Sequence, residues 1–255
     1  MDSLKKAIGN AVIMWIVGTF PIIFSVIYYA VDANGTYGNI AMCISLLLGG
    51  ALCAFVMKKE HHAGLKDYFS KPEPVTLLLI ISTALFYVLT CMYTLNRPMF
   101  SGKPEADTIE IISLILASTI APVGEELIYR FAMLTLLLTA SKGSKAKNLF
   151  SIIIVSAAWM VMHFSNYIPR ILDLIIIGLI IGYLYLKSRN ILYCIIFHIT
   201  ANVCTYSFAA MYQWFFQMEY ILYISAVLFL LSIVMLFYHL CQHTHLEFFK
   251  KDNIN

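Results

Sequence analysis

An all-α membrane protein, a polytopic bundle of about eight transmembrane helices, is the fold that this sequence predicts, and three observations predict it. Of the 255 residues, 61% are apolar and only 12% charged, and the mean hydropathy is +0.82. A water-soluble globule of this length does not carry that composition. The apolar residues come in runs of about 20, the length that crosses a hydrocarbon core of about 30 Å. Finally, the Lys and Arg residues crowd into alternate gaps between the runs, as cytoplasmic loops do.

The first run extends from Ala7 to about Val31 behind Lys5 and Lys6. It is longer than the core of a signal peptide and has no convincing cleavage site, so it reads as a span. Further runs lie at 38–57, 75–95, 108–140, 149–165, 170–187, 191–209 and 218–240. Thirteen of the seventeen basic residues fall on the N-terminal side of this alternation, Arg97, Lys103 and Arg170 on the other, and Arg130 inside a run. Both termini are therefore expected in the cytoplasm. The Lys58 to Pro74 loop reads either as a surface-lying amphipathic element or as a solvated connector. With no repeat or long linker, 1–255 is expected to form a single integral membrane domain. A formal charge of +3 is too small to point to nucleic acid, so the expected partners are the lipid bilayer and whatever the bundle binds within it. The six cysteines form no CxxC pair and read as reduced packing residues.

Ionisable side chains inside the hydrocarbon cost about 2.5 to 3.5 kcal/mol each on insertion scales, so those present should face inward and have a partner or a task. The fourth run holds Glu125, Glu126 and Arg130, the fifth His163, and the seventh His198 and Asn202. Counted from the basic loops at about 1.5 Å per residue, these groups reach similar depths, roughly 12 to 24 Å. Glu126 and Arg130 are four apart and share a helical face, which predicts a structural ion pair. Glu125, about 140° round from Arg130, is left for chemistry. His198 and Asn202, also four apart, point into one cavity. Pro122 is expected to kink the fourth run and Gly124 to loosen it. A helix restarting there would put both glutamates in its first turn, where the dipole favours anions. Gly178 and Gly182 read as close helix packing, and His239, His243 and His245 as a solvated helix end. Asp173, Glu110 and Glu219 lie near the outer interface, where no chemistry is required of them. A single buried His is often only a hydrogen-bonded core residue; the case for function rests on four groups converging.

In these residues the sequence resembles the CPBP family of intramembrane proteases, the CAAX proteases and bacteriocin-processing enzymes also called Abi. EELIYR at 125–130 matches EExxxR, WMVMH at 159–163 matches FxxxH with Trp159 in place of Phe, and HITAN at 198–202 matches HxxxN. The motif-bearing core is about 108–209. The resemblance implies a membrane-embedded endopeptidase with Glu125, His163, His198 and Asn202 as its catalytic set. Its substrate would be a small membrane-associated peptide, or a prenylated or precursor protein, and its expected location a bacterial plasma membrane. Two versions of the chemistry stand open. In one, no cofactor is needed: Glu125 with His163 activates water while His198 and Asn202 hold the oxyanion. In the other, zinc is bound by Glu125, His163 and His198. A water-accessible cavity opening towards the cytoplasm or laterally to lipid is expected in either. The competing functions are a non-catalytic scaffold, regulator or bacteriocin-immunity protein on the same fold, and a proton-coupled transporter, for which inverted repeats are missing.

Overall fold

The computed structural model describes residues 2–23, 25–26, 36–94, 108–163, 165, 167–210 and 219–251, and every regular element among them is a helix. In chain order these are α1 (Asp2–Thr19), α2 (Thr36–His61), α3 (Pro74–Thr94), α4 (Thr108–Thr119), α5 (Ala121–Glu126), a π-helix (Leu127–Leu134), α6 (Thr135–Ser141), α7 (Lys145–Val161), α8 (Ile168–Ser188), α9 (Ile191–Ala210) and α10 (Glu219–Lys251). Each of the eight expected runs falls on helix, the fourth being built from α4, α5, the π-helix and α6. The end of the first run, and the loop carrying Arg97 and Lys103, lie outside the described residues.

The protein is an integral membrane bundle. Among the described residues, five stretches are long and apolar enough to cross: Thr36–His61, Pro74–Cys91, Ile111–Ser141, Ile168–Ser188 and Tyr220–Gln242. Of the other runs, the first continues from α1 past the described residues, the 17 residues of α7 reach about 26 Å, and α9 is an apolar helix of 20 residues.

The surface carries the apolar residues. Phe55, Leu78 and Val234 are 63%, 65% and 65% exposed, whereas Glu126 and Arg130 have no exposure at all. In water this would be an inside-out protein; against lipid it is the expected sorting, because a charge cannot be left in hydrocarbon. All eight residues of the π-helix are buried, enclosed by α1, α2, α7, α8 and α9.

The fourth run breaks at Ile120, and α5 restarts with Pro122 in its first turn, where the missing N–H costs nothing. The glutamates come at the end of this six-residue helix rather than in its first turn, so the dipole argument for them does not hold. Gly124 is not a flexible joint either. A Cβ there would lie 2.4 Å from the carbonyl carbon and oxygen of Leu46, so the glycine lets α5 and α2 touch backbone to backbone. Gly178 and Gly182 instead make room for the side chains of Ser156 and Ile152 of α7.

The Lys58 to Pro74 connection is neither a surface helix nor a free linker. A 3-10 turn at Leu65–Tyr68 puts the Tyr68 ring edge-on to Phe131 at 5.3 Å and stacked on Tyr185 at 6.4 Å. Burial there pushes the Tyr68 phenol up. Asn190 donates to Ser70 Oγ at 2.8 Å, and the Tyr193 hydroxyl accepts from the Glu73 N–H at 2.9 Å. These contacts pin the loop to the basic end of the bundle.

Candidate functional site

Glu125, His163, His198 and Asn202 all line one cavity of about 480 Å³. Three elements deliver them: α5 supplies Glu125, the C-terminal end of α7 supplies Trp159 and the turn after it His163, and α9 supplies His198 and Asn202. His163 thus sits just beyond its helix, not within it, since α7 stops at Val161.

Glu125 is not free. Its Oε2 accepts a hydrogen bond from the indole N–H of Trp159, and His198 Nε2 lies 3.9 Å from the same oxygen. His163 donates from Nδ1 to the Trp159 carbonyl at 3.0 Å, which leaves its lone pair on Nε2. Asn202 stands one helical turn beyond His198, with its side chain on the same cavity.

Behind this row lies a second, fully enclosed one. Arg130 Nη1 donates to Glu126 Oε1 at 3.0 Å, both side chains having no exposure, and Nη2 reaches the Gly178 carbonyl at 3.4 Å. The same Glu126 oxygen meets His198 Nδ1 at 2.8 Å. Glu126 is therefore more than a counter-ion to Arg130: it sets the rotation of the His198 ring that Glu125 faces from the other side. A carboxylate on Nδ1 requires a proton there, so His198 can donate from Nε2 only as the imidazolium. That cation would stand between two carboxylates.

The cavity continues to a cluster that the sequence reading placed at the outer interface without a role. Asp173 is buried, accepts from the Tyr87 hydroxyl and from Arg170, and lines the cavity together with both. An apolar stretch with i,i+3 Arg and Asp reads as a surface pair; only its packing against α3 shows otherwise. His239 departs from expectation too: its Nε2 lies 2.8 Å from Glu73 and 3.0 Å from Thr76 Oγ1, tying α10 to the start of α3.

The lining also fixes where the cavity lies. Tyr87 and Cys91 come late in α3, His163 follows α7, Arg170 and Asp173 come early in α8, and Thr205 late in α9. These are the helix ends away from Lys58, Lys71, Lys145 and Lys187.

Among the described residues, no group of three His, Cys, Asp or Glu side chains is arranged to hold a metal ion. The Glu125 oxygen that faces His198 is committed to the Trp159 indole.

The fold and site define a class: a helical membrane protein with carboxylates, imidazoles and a carboxamide turned inward around a cavity. Residues 107–204 match the family described as type II CAAX prenyl endopeptidase, Rce1-like. The resemblance to the CAAX proteases drawn from the three motifs is shown by this match, which covers somewhat more than a third of the chain and takes in every motif residue. At the level of the family the activity is that of a protease. No curated protein and no solved structure matches the chain.

Proposed function

We propose that the protein is an intramembrane endopeptidase that hydrolyses a peptide bond in a small membrane-associated peptide or in a prenylated or precursor protein. The observation that carries this reading is the facing of Glu125 and His198 at 3.9 Å on a cavity shared with His163 and Asn202. Hydrolysis needs a base for water and donors for the oxyanion within hydrogen-bond reach of one carbonyl, and these four side chains supply both.

In the proposed sequence Glu125 takes a proton from water as the hydroxide adds to the carbonyl carbon. His163 Nε2, with its lone pair open, assists and passes the proton on to the leaving amine. The oxyanion is held by His198 Nε2–H and the Asn202 amide. Glu126 keeps the His198 proton on Nδ1, and Arg130 fixes Glu126. We take the metal-free version, supported by a histidine and an asparagine one turn apart as paired donors. Both termini and the basic loops are placed in the cytoplasm on the charge asymmetry. The cavity then lies in the outer half of the bundle, and the substrate reaches it from that side or from within the bilayer.

The test compares peptide processing by purified wild type and Glu125→Gln in liposomes, with metal content measured on the same samples. Processing lost in the variant and independent of bound metal supports the reading. Equal processing by both, or no processing by wild type, removes it and leaves the scaffold alternative.

A further inference from the structure

The side chain that touches most of the proposed machinery is neither acid nor base. Trp159 is 2% exposed. Its indole N–H donates to Glu125 Oε2, and its backbone carbonyl accepts from His163 Nδ1 at 3.0 Å. Its ring meets the imidazoles of His163 and His198 edge to face, with centroids 4.5 and 5.5 Å apart. The Arg130 guanidinium lies over the same ring at 5.3 Å.

Space filling alone does not account for an indole here. The motif that this segment resembles has Phe at the position, which would supply the ring and no donor. Trp brings one N–H and no acceptor, and a buried N–H must find an acceptor or cost stability. The acceptor it finds is the carboxylate that faces His198. The terminal torsion of a glutamate is broad and nearly two-fold, so without a fixed donor its two oxygens exchange freely.

We infer that Trp159 is a positioning residue, whose N–H holds Glu125 Oε2 beside His198 and leaves Oε1 to take the proton of the attacking water. The inference rests on the proteolytic reading above. Holding a base within tenths of an ångström of its working position affects the chemical step more than substrate binding. Loss of the N–H should therefore appear in kcat and not in KM.

The experiment uses the full chain in liposomes. Trp159 is replaced by Phe and, by nonsense suppression, by 3-benzothienylalanine, which keeps the bicyclic shape with sulfur in place of N–H. Glu125→Gln is made alongside. With only three tryptophans in the chain, the Trp159 indole ¹⁵N–¹H signal is assigned by its disappearance in Trp159→Phe. The expected result is a fall of about tenfold in kcat for the benzothienyl protein, with KM unchanged within about twofold and thermal midpoint within about 2 °C. The indole proton should also move upfield in Glu125→Gln. An unchanged kcat in the benzothienyl protein overturns the proposal, as does a fall in kcat matched by loss of folded protein. Should wild type cleave none of the peptides offered, the proteolytic reading falls by itself. The indole signal still decides the contact: unmoved by Glu125→Gln, it removes the positioning role, and displaced, it sustains the hold on the carboxylate.

Discussion

Two carboxylate–imidazole pairs of the same length stand in this bundle, one inside it and one at its basic end. Glu126 meets His198 at 2.8 Å and Glu73 meets His239 at 2.8 Å. The surroundings differ. Glu126 and His198 are enclosed, with side-chain exposures of 0% and 3%, and Arg130 shares the same oxygen; Glu73 and His239 are 44% and 17% exposed. Distance alone would rank the pairs as equal, whereas exposure separates them: solvent screens the one and the protein encloses the other. The enclosed pair lies beside the cavity and serves it; the open pair fastens α10 to α3.

That contrast predicts a large difference in cost. Glu126→Gln leaves Arg130 unpaired in a dry site and should destabilise by about 3 to 5 kcal/mol, read as thermal midpoint and detergent-solubilised yield. Replacing both Glu126 and Arg130 by neutral residues should recover part of the stability. It should not recover processing, because His198 still lacks its partner on Nδ1. Full recovery of activity in the double variant would break the assignment of Glu126 as the group that orients His198.

The neighbouring carboxylate sharpens the comparison. Glu125→Gln keeps an acceptor for the Trp159 indole and removes no ion-pair partner from Arg130. It should hold the midpoint of wild type while lowering processing by about 10³-fold, the usual scale for losing a general base. A midpoint that falls as far as that of Glu126→Gln would erase the distinction between the two glutamates.

Asp173→Asn falls in between. It weakens the bonds from Arg170 and Tyr87 at one side of the cavity and should cost about 1 to 3 kcal/mol by leaving buried donors poorly met. The thermal midpoint measures it, and a change within error would return Asp173 to the interface role that its sequence position implied.

Smallest of all is Glu73→Gln, expected to cost about 0.5 kcal/mol or less at neutral pH. Its hydrogen bonds from Thr76 and His239 hold the Glu73 carboxyl at about 2, below the ordinary 4.5. A group with its folded value depressed stabilises the protein above the ordinary value and loses that contribution as pH falls. The gap between wild type and Glu73→Gln should therefore close as pH drops from 4.5 towards 2. A gap that widened on acidification would contradict the bonding seen at Glu73.

What the sequence could show follows from what each signal depends on. Hydropathy runs located every helix, because lipid selects apolar residues over a fixed length. The i,i+4 spacings of Glu126 with Arg130 and of His198 with Asn202 survive in the structure, because they depend on one helix at a time. The contacts between helices were out of reach. Trp159 on Glu125, Glu126 on His198 and Tyr87 on Asp173 each require the rotation of two helices about their axes, and no periodicity in a single segment carries that. Tyr68 was hidden for a related reason: a polar, Lys-bearing loop gives no sign that one of its aromatic rings is sunk between Phe131 and Tyr185.

The π-helix of Leu127–Leu134 makes the winding of that stretch matter as much as the identity of its residues. Its hydrogen bonds span one residue more than those of an α-helix, in which adding or removing a residue turns one flank about 100° against the other. Loss of one residue between 127 and 134 can be taken up by closing a wide turn to α winding, whereas loss of one in the α-turns of α5 swings Glu125 and Glu126 away from His198. The same loss in the lipid-facing turns of α10 would shift only which apolar side chains meet the bilayer. A scan of one-residue deletions should accordingly find 127–134 more tolerant than 121–126, a boundary that substitutions, which leave the winding unchanged, would pass over.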